Sequence, residues 1–416
     1  MAGLDAAIDR YAQVAVRVGL NVQPGQSVLI QAPLESPAFV RRAAEHAYAA
    51  GARHVHVEWE DEPLTLLRYR LAPEDALREY PAWRSAQMRQ LAEDGAAFLA
   101  VLASDPDLLR EIEPARVAAA NRARSVALAP YYARISAMRT NWCVVAVPTE
   151  AWAAKVFPDA APAERAARLW QAIFSAVRLE APQPVAAWRT HVAALAARAE
   201  HLNRARLRVL HYRAPGTELA VELPEGHVWL AGAATDPRGF PFVPNLPTEE
   251  VFTAPRRDGV RGTVRATLPL NYRGVTIEGL TLRFEDGRVV QAEARAGQAA
   301  LRGLLDTDEG SRRLGEVALA PDDSAVARLH TLFYNTLFDE NAASHFALGR
   351  AYATCLQGGA ALGGEGLAAR GLNQSLEHVD FMVGGPEMEI DGEAATGERV
   401  PLMRRGLWAF EAPAPG

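Results

Sequence analysis

Between Pro24 and Trp59 the sequence spells strand, helix and strand with so little connecting chain that few folds accommodate it. Pro24-Gly25 turns the chain, and SVLIQA (27–32) is an apolar run of strand length. Ser36-Pro37 reads as an N-cap followed by proline at the first helical position, where the missing N–H is not needed. The helix runs through FVRRAAEHAYAA and stops at Gly51, after which HVHVEW (54–59) alternates as the next strand. Such a βαβ unit implies parallel pairing with a right-handed crossover. Three further strands are expected, AAFLAVLAS (96–104), SVALAP (125–130) and WCVVAVP (142–148), with helices over 161–177 and 184–203.

From about residue 206 the texture changes. RLRVLHYR, TELAVELP, HVWLAG, GTVRATLP, GVTIEGLTLRFE and RVVQAEA are closely spaced strands. Asp286-Gly287 joins the last two, a strong hairpin signal. Helices are expected near 297–305 and 322–337, and the terminal APAPG reads as a loose tail. The reading is therefore an α/β domain with parallel βαβ units over 1–204. An α+β domain with a largely antiparallel sheet follows over 205–416.

Composition narrows the chemistry. Hydrophobic residues make up 49% of the 416 and charged residues 23%, enough apolar material for two cores. The net charge of −6 and the absence of a basic-aromatic stripe argue against nucleic acid as a partner. MAGLDAAIDRYAQ reads as an amphipathic helix rather than a leader, and no run approaches the length of a membrane span. Cys143 and Cys355 alone make no disulfide framework, which suits a cytoplasmic setting. Lys155 is the only lysine and follows no glycine-rich loop, so Schiff-base and P-loop chemistry are set aside.

The last third carries a constellation matched nowhere else: Glu250, Glu316, Glu340, His345, His378 and Asp380, with Tyr352 among them. Carboxylate oxygens with two imidazole nitrogens suit divalent zinc, cobalt or manganese, with magnesium a further candidate, and a carboxylate can bridge two ions. Paired ions of this kind activate water for hydrolysis. His378 and Asp380 lie in SLEHVDFMVGG, whose alternation sends an i,i+2 pair to one face of a strand. Glu316 opens a run of small apolar residues, where an unpaired charge would be costly.

Other residues weigh less. His345 and Tyr352 are seven apart: a helix would place them on one face, a strand on opposite faces, and Asn341 or Ser344 could cap such a helix. His54-x-His56 reads as a polar strand end, and Glu387, Glu389 and Asp391 as decoration of a turn at Asp391-Gly392. No GxSxG elbow occurs, and Cys355 reads as a buried structural thiol.

LNVQPGQSVLI, FVRRAAEHAYAAGARHVHVEW, NLPTEEVFTAP, LGEVAL, FDENAASHFALGRAY and HVDFMVGG together resemble the aminopeptidase T and aminopeptidase S type of metallo-aminopeptidase, in the same order and over nearly the whole chain. The resemblance implies two domains, the second holding a co-catalytic pair of divalent ions, and a homodimer whose active sites face an enclosed space. It implies Glu250, Glu316, His345, His378 and Asp380 as ligands, Glu340 as a sixth and Tyr352 as the catalytic tyrosine. Glu316 would bridge the ions, Tyr352 would donate to the oxyanion, and Glu249 and Glu316 both stand open as general base. Substrates would be short peptides with a free N-terminus. The rival readings are a di-metal dipeptidase or amidohydrolase, and a non-catalytic metal-stabilised binding protein.

Overall fold

The computed structural model describes residues 2–103 and 105–411. Ser104, at the end of the expected third strand, and the APAPG tail lie outside them. The chain divides into two compact units, residues 1–189 with 233–247 and residues 190–232 with 248–416. The change of texture near 205 coincides with the end of the helix Pro184–Ala205, just before the strand Leu207–Ala214.

The first unit is built on a four-stranded sheet of β1 (Ser27–Pro33), β2 (His54–Glu60), β3 (Ala97–Leu102) and β4 (Trp142–Ala146), in the order β2-β1-β3-β4 and parallel throughout. Val28, Leu29 and Ile30 are fully buried, as expected of a central strand covered on both faces. The helix Pro37–Ala49 joins β1 to β2; the Ser36 hydroxyl donates back to the Pro33 carbonyl instead of capping it. Residues 241–247 belong here because Val144 and Leu246 exchange backbone bonds with Pro244 and Val144 alongside β4.

SVALAP is not a strand. It spans the end of the helix Pro114–Ala127 and the start of the helix Ala129–Ser136. Val126 is 69% exposed, so the apolar run buries too little surface to hold an extended conformation. Pro130 suits the first turn of the second helix.

The second unit stacks two antiparallel sheets. An eight-stranded sheet contains Leu207–Ala214, Thr217–Glu222 and the hairpin Thr281–Glu285/Arg288–Glu293, turned by Asp286 and Gly287 at positive φ. A five-stranded sheet runs in the order His378–Met382, His345–Gly349, Leu314–Leu319, Val251–Thr253 and Leu230–Ala231. Phe346, Leu348, Val317 and Phe381 on one of its faces share a core with Leu210, Tyr212 and Val221 of the larger sheet. The Tyr212 and Phe346 rings meet edge-to-face at 4.9 Å between centroids. The opposite face of the five-stranded sheet is left for chemistry.

Three local expectations fail here. Residues 322–337 form turns, a 3-10 turn at Ala327–Leu329 and a short helix at Thr336–Asp339, because His330 and Tyr334 sit at positive φ and interrupt any continuous helix. HVWLAG contributes only Leu230–Ala231 as strand. Asp391-Gly392 is the middle of a strand (Glu389–Ala394), not a turn. Asp391 is buried there between Arg213 and Arg404, and a Cβ on Gly392 would strike Leu207. No helix among the described residues is long and apolar enough to cross a membrane.

Candidate metal centre

The strand option holds for the segment around His345. His345–Gly349 is extended, and neither Asn341 nor Ser344 caps a helix. Asn341 Oδ1 instead accepts the Glu249 N–H at 2.7 Å, tying the start of the Val251–Thr253 strand to the Glu340 turn. The Ser344 hydroxyl donates to the Ala320 carbonyl.

Register then assembles the site. Antiparallel partners project side chains to the same face. Glu316 pairs with Ala347, Ala347 with Asp380, Gly349 with His378, and Ala318 with His345. Glu316, His345, His378 and Asp380 therefore share the face turned away from the core. Ala347 and Gly349 keep the middle of that face clear. Glu250 joins from the residue before the Val251–Thr253 strand.

Two groups of three result, Glu250 with Glu316 and His345, and Glu316 with His378 and Asp380, each with ligand-type atoms within 4.8 Å of one another. Glu316 belongs to both. Its Oε1 lies 3.7 Å from His345 Nε2 and its Oε2 3.5 Å from His378 Nε2. Glu250 Oε2 is 2.9 Å from His345 Nε2, and Asp380 Oδ1 is 3.5 Å from His378 Nε2.

Each imidazole is oriented from behind. His345 Nδ1 donates to the Ala343 carbonyl at 3.1 Å and His378 Nδ1 to the Arg350 carbonyl at 2.7 Å. A carbonyl can only accept, so both Nε2 atoms are turned to the carboxylates, the arrangement metal-bound histidines adopt. The backbone acceptors at Ala343 and Arg350 leave no mark in the sequence. The i+2 spacing of small Ala347 after His345 in an alternating strand is a signal the sequence did contain.

Electrostatics favour cations here. Burial, and then the Asp380 and Glu250 charges, hold the Glu340 carboxyl well above its ordinary value. Burial likewise raises Glu316. Burial would lower His345, yet the Glu250 and Glu316 carboxylates hold it well above the ordinary imidazole value. Four buried or half-buried carboxylates against two imidazoles leave a negative excess that low-polarity surroundings penalise. Glu250 Oε2 is itself buried without a hydrogen bond of acceptable geometry, despite its approach to His345. A donor set of hard oxygens and imidazole nitrogens with an unsatisfied buried acceptor fits divalent cations.

Glu340, at the start of a 3-10 turn, is buried beside the cluster with Oε1 3.5 Å from Asn341 Nδ2, but belongs to neither group of three. Glu249 turns elsewhere: its Oε2 lies 3.6 Å from His191 Nε2. The Tyr352 ring stands 4.9 Å from the His378 ring and 6.2 Å from that of Phe252. Burial, and then the Glu316 and Asp380 charges, keep its hydroxyl protonated far up the pH scale. Cys355 is buried and its thiol is pushed well up by burial, consistent with a structural role. His54 and His56 are exposed on β2 and remote in sequence from every carboxylate of the cluster.

The profile of the thermophilic metalloprotease (M29) family matches residues 4–408. The chain is 52% identical over 404 residues to aminopeptidase 2 of Geobacillus stearothermophilus, covering 97% of this chain and 98% of that protein. It is 46% identical over 403 residues to aminopeptidase AmpS of Bacillus subtilis, covering 97% and 98%. The solved structure of wild-type AmpT from Thermus thermophilus superposes with a TM-score of 0.92 at 46% identity, covering 97% of this chain and 99% of that one. Relatives matched end to end at these identities set aside a non-catalytic binding protein. The chain belongs to the thermophilic metalloprotease (M29) family and is an aminopeptidase, a hydrolase acting at peptide N-termini.

Proposed function

We propose that the enzyme removes the N-terminal residue of short peptides with two divalent cations, one in each group of three, and that Glu316 serves both. The observation that carries this is the division of the Glu316 carboxylate, one oxygen toward His345 and the other toward His378. Cations bound there supply Lewis acidity that lowers the pKa of water and polarises the scissile carbonyl. Zinc, cobalt and manganese suit the ligand set, and magnesium less so because of the imidazoles.

The chain's own groups do the rest. Glu316 fixes the separation of the two positions. Of the two carboxylates open as general base, Glu316 faces the site, whereas Glu249 is directed to His191. Tyr352 retains its proton and donates to the oxyanion as it develops. Glu340 supplies a further carboxylate to the cluster. The catalytic domain in this reading is the second compact unit, and the homodimer expected from the family resemblance and the cytoplasmic setting expected from the cysteine content belong to the same proposal.

Elemental analysis of protein purified without chelator, paired with turnover of leucyl-anilide, tests the reading. Two equivalents of metal per chain at full activity are expected. Full activity at one equivalent or none would refute the two-cation mechanism.

A further inference from the structure

The face that carries the ligands continues past them. Phe252 pairs with Ala318, which pairs with His345, and on its other side Phe252 pairs with Leu230. Leu230, Phe252, Ala318 and His345 thus form one row across four strands, all on the ligand face. Glu250, the residue before the Val251–Thr253 strand, and Phe252 within it are two residues apart, so in extended chain their side chains emerge from the same face about 7 Å apart. The Tyr352 ring leans edge-on against Phe252 at 6.2 Å. Leu230, Phe252 and Tyr352 are only partly buried and pack on a closed apolar cluster of Ala254, Cys355 and Leu356.

We propose that Phe252 selects the side chain of the substrate's N-terminal residue, with bulky apolar residues favoured over alanine. The inference rests on the aminopeptidase reading above. An N-terminal residue cleaved at the cluster has its α-amine and scissile carbonyl among the ligands. Its side chain leaves the carbon between those two groups and must lie on the same sheet face within one or two bonds. Toward the sheet edge formed by His378–Met382, the neighbour of His345 is Met382, already buried. Over Ala347 the space is flanked by Glu316 and Asp380. The side of Phe252 presents partly exposed apolar carbon of Leu230, Phe252 and Tyr352. Burying an apolar side chain there is favourable.

The test compares kcat/KM on leucyl- and alanyl-anilide for the wild type, Phe252→Ala and Phe252→Leu, with metal content measured in each. Wild-type turnover of either anilide that requires added metal establishes the aminopeptidase reading independently of the variants. Phe252→Ala should lower the leucine-to-alanine ratio by about 10-fold or more, the scale set by a few methylenes in an apolar pocket. Phe252→Leu should retain most of the ratio with metal content unchanged. A ratio equal to that of the wild type in Phe252→Ala, whether or not both rates fall, overturns the proposal. Should Phe252→Ala fail to fold, Phe252→Trp should shift the ratio by filling the space beside it, and a ratio equal to that of the wild type in Phe252→Trp overturns the proposal equally.

Discussion

Ala347 stands directly opposite Glu316 in the antiparallel register, and its methyl group projects from the same face as the carboxylate. On its other side Ala347 faces Asp380. Any longer side chain at 347 would enter the space between the two candidate cation positions. Ala347→Leu should therefore lose metal and activity together while the sheet persists, since its backbone pairing and the core face behind it are untouched. Overpacking of this kind costs about 1–3 kcal/mol, which a domain of this size tolerates. Near-native metal content in Ala347→Leu would contradict the placement of the cations on this face.

Tyr352→Phe separates catalysis from packing. The ring keeps its contacts with His378 and Phe252, and only the hydroxyl is lost. Loss of one oxyanion donor lowers kcat by roughly 10²-fold or more. Metal content and melting temperature should hold. A fall in melting temperature with kcat preserved would make Tyr352 a packing residue.

Glu316 and Glu250 differ in a way that substitution exposes. Glu316 belongs to both groups of three and Glu250 to one. Glu316→Gln should therefore lower occupancy of both cations and Glu250→Gln chiefly of one. Titration of the chelated proteins with zinc, followed by calorimetry, reads the number of sites. Equal losses in the two variants would remove the bridging assignment.

The legibility of this site follows from how its residues are held. His378 and Asp380 were readable because a strand alternates with period two, so spacing alone put both on one face. The strand at 27–32 and the Asp286-Gly287 hairpin were readable because apolar runs and turn residues act locally. The placement of His345 was not, because FDENAASHFALGRAY carries both helical and extended spacings, and pairing with the Glu316 strand decides between them. Residues 125–130 and 322–337 misled for opposite reasons. An apolar run proved to be exposed helix, and helix-compatible residues proved to be turns fixed by Asn335 and Asp339 accepting backbone N–H groups. Phe252 carries no chemistry of its own and becomes visible only once the register places it in one row with His345, across Ala318.

The stabilising effect of metal should grow as pH rises. Glu316, Glu340 and His345 all bind protons more tightly in the metal-free fold than in the unfolded chain. Each therefore stabilises the metal-free fold below its unfolded value and loses that contribution as pH rises through the raised one. The loss begins above about 4.3 for the carboxyls and above about 6.5 for the imidazole. Cations compete with the same protons. The difference in melting temperature between loaded and chelated protein should thus widen from about pH 5 to about pH 8. A difference that is constant or shrinks over that range would contradict these protonation states.

Cleavage should require a free α-amine and proceed one residue at a time. The ligand face offers a cluster of carboxylates that would accept from an ammonium, and cations held by the two groups of three would take an amine lone pair instead. An N-acetyl group removes both interactions. A hexapeptide and its N-acetylated form, incubated separately with products followed by mass, distinguish an aminopeptidase from a di-metal amidohydrolase. Successive loss of single N-terminal residues is expected from the free peptide alone. If leucine stands at the first position and alanine at the second, the same time course also reports the side-chain preference assigned to Phe252, as a fast first step and a slower second. Internal fragments appearing first, or equal cutting of the acetylated peptide, would place substrate recognition elsewhere than at the amine and remove the reason for two cations to be held by a shared Glu316.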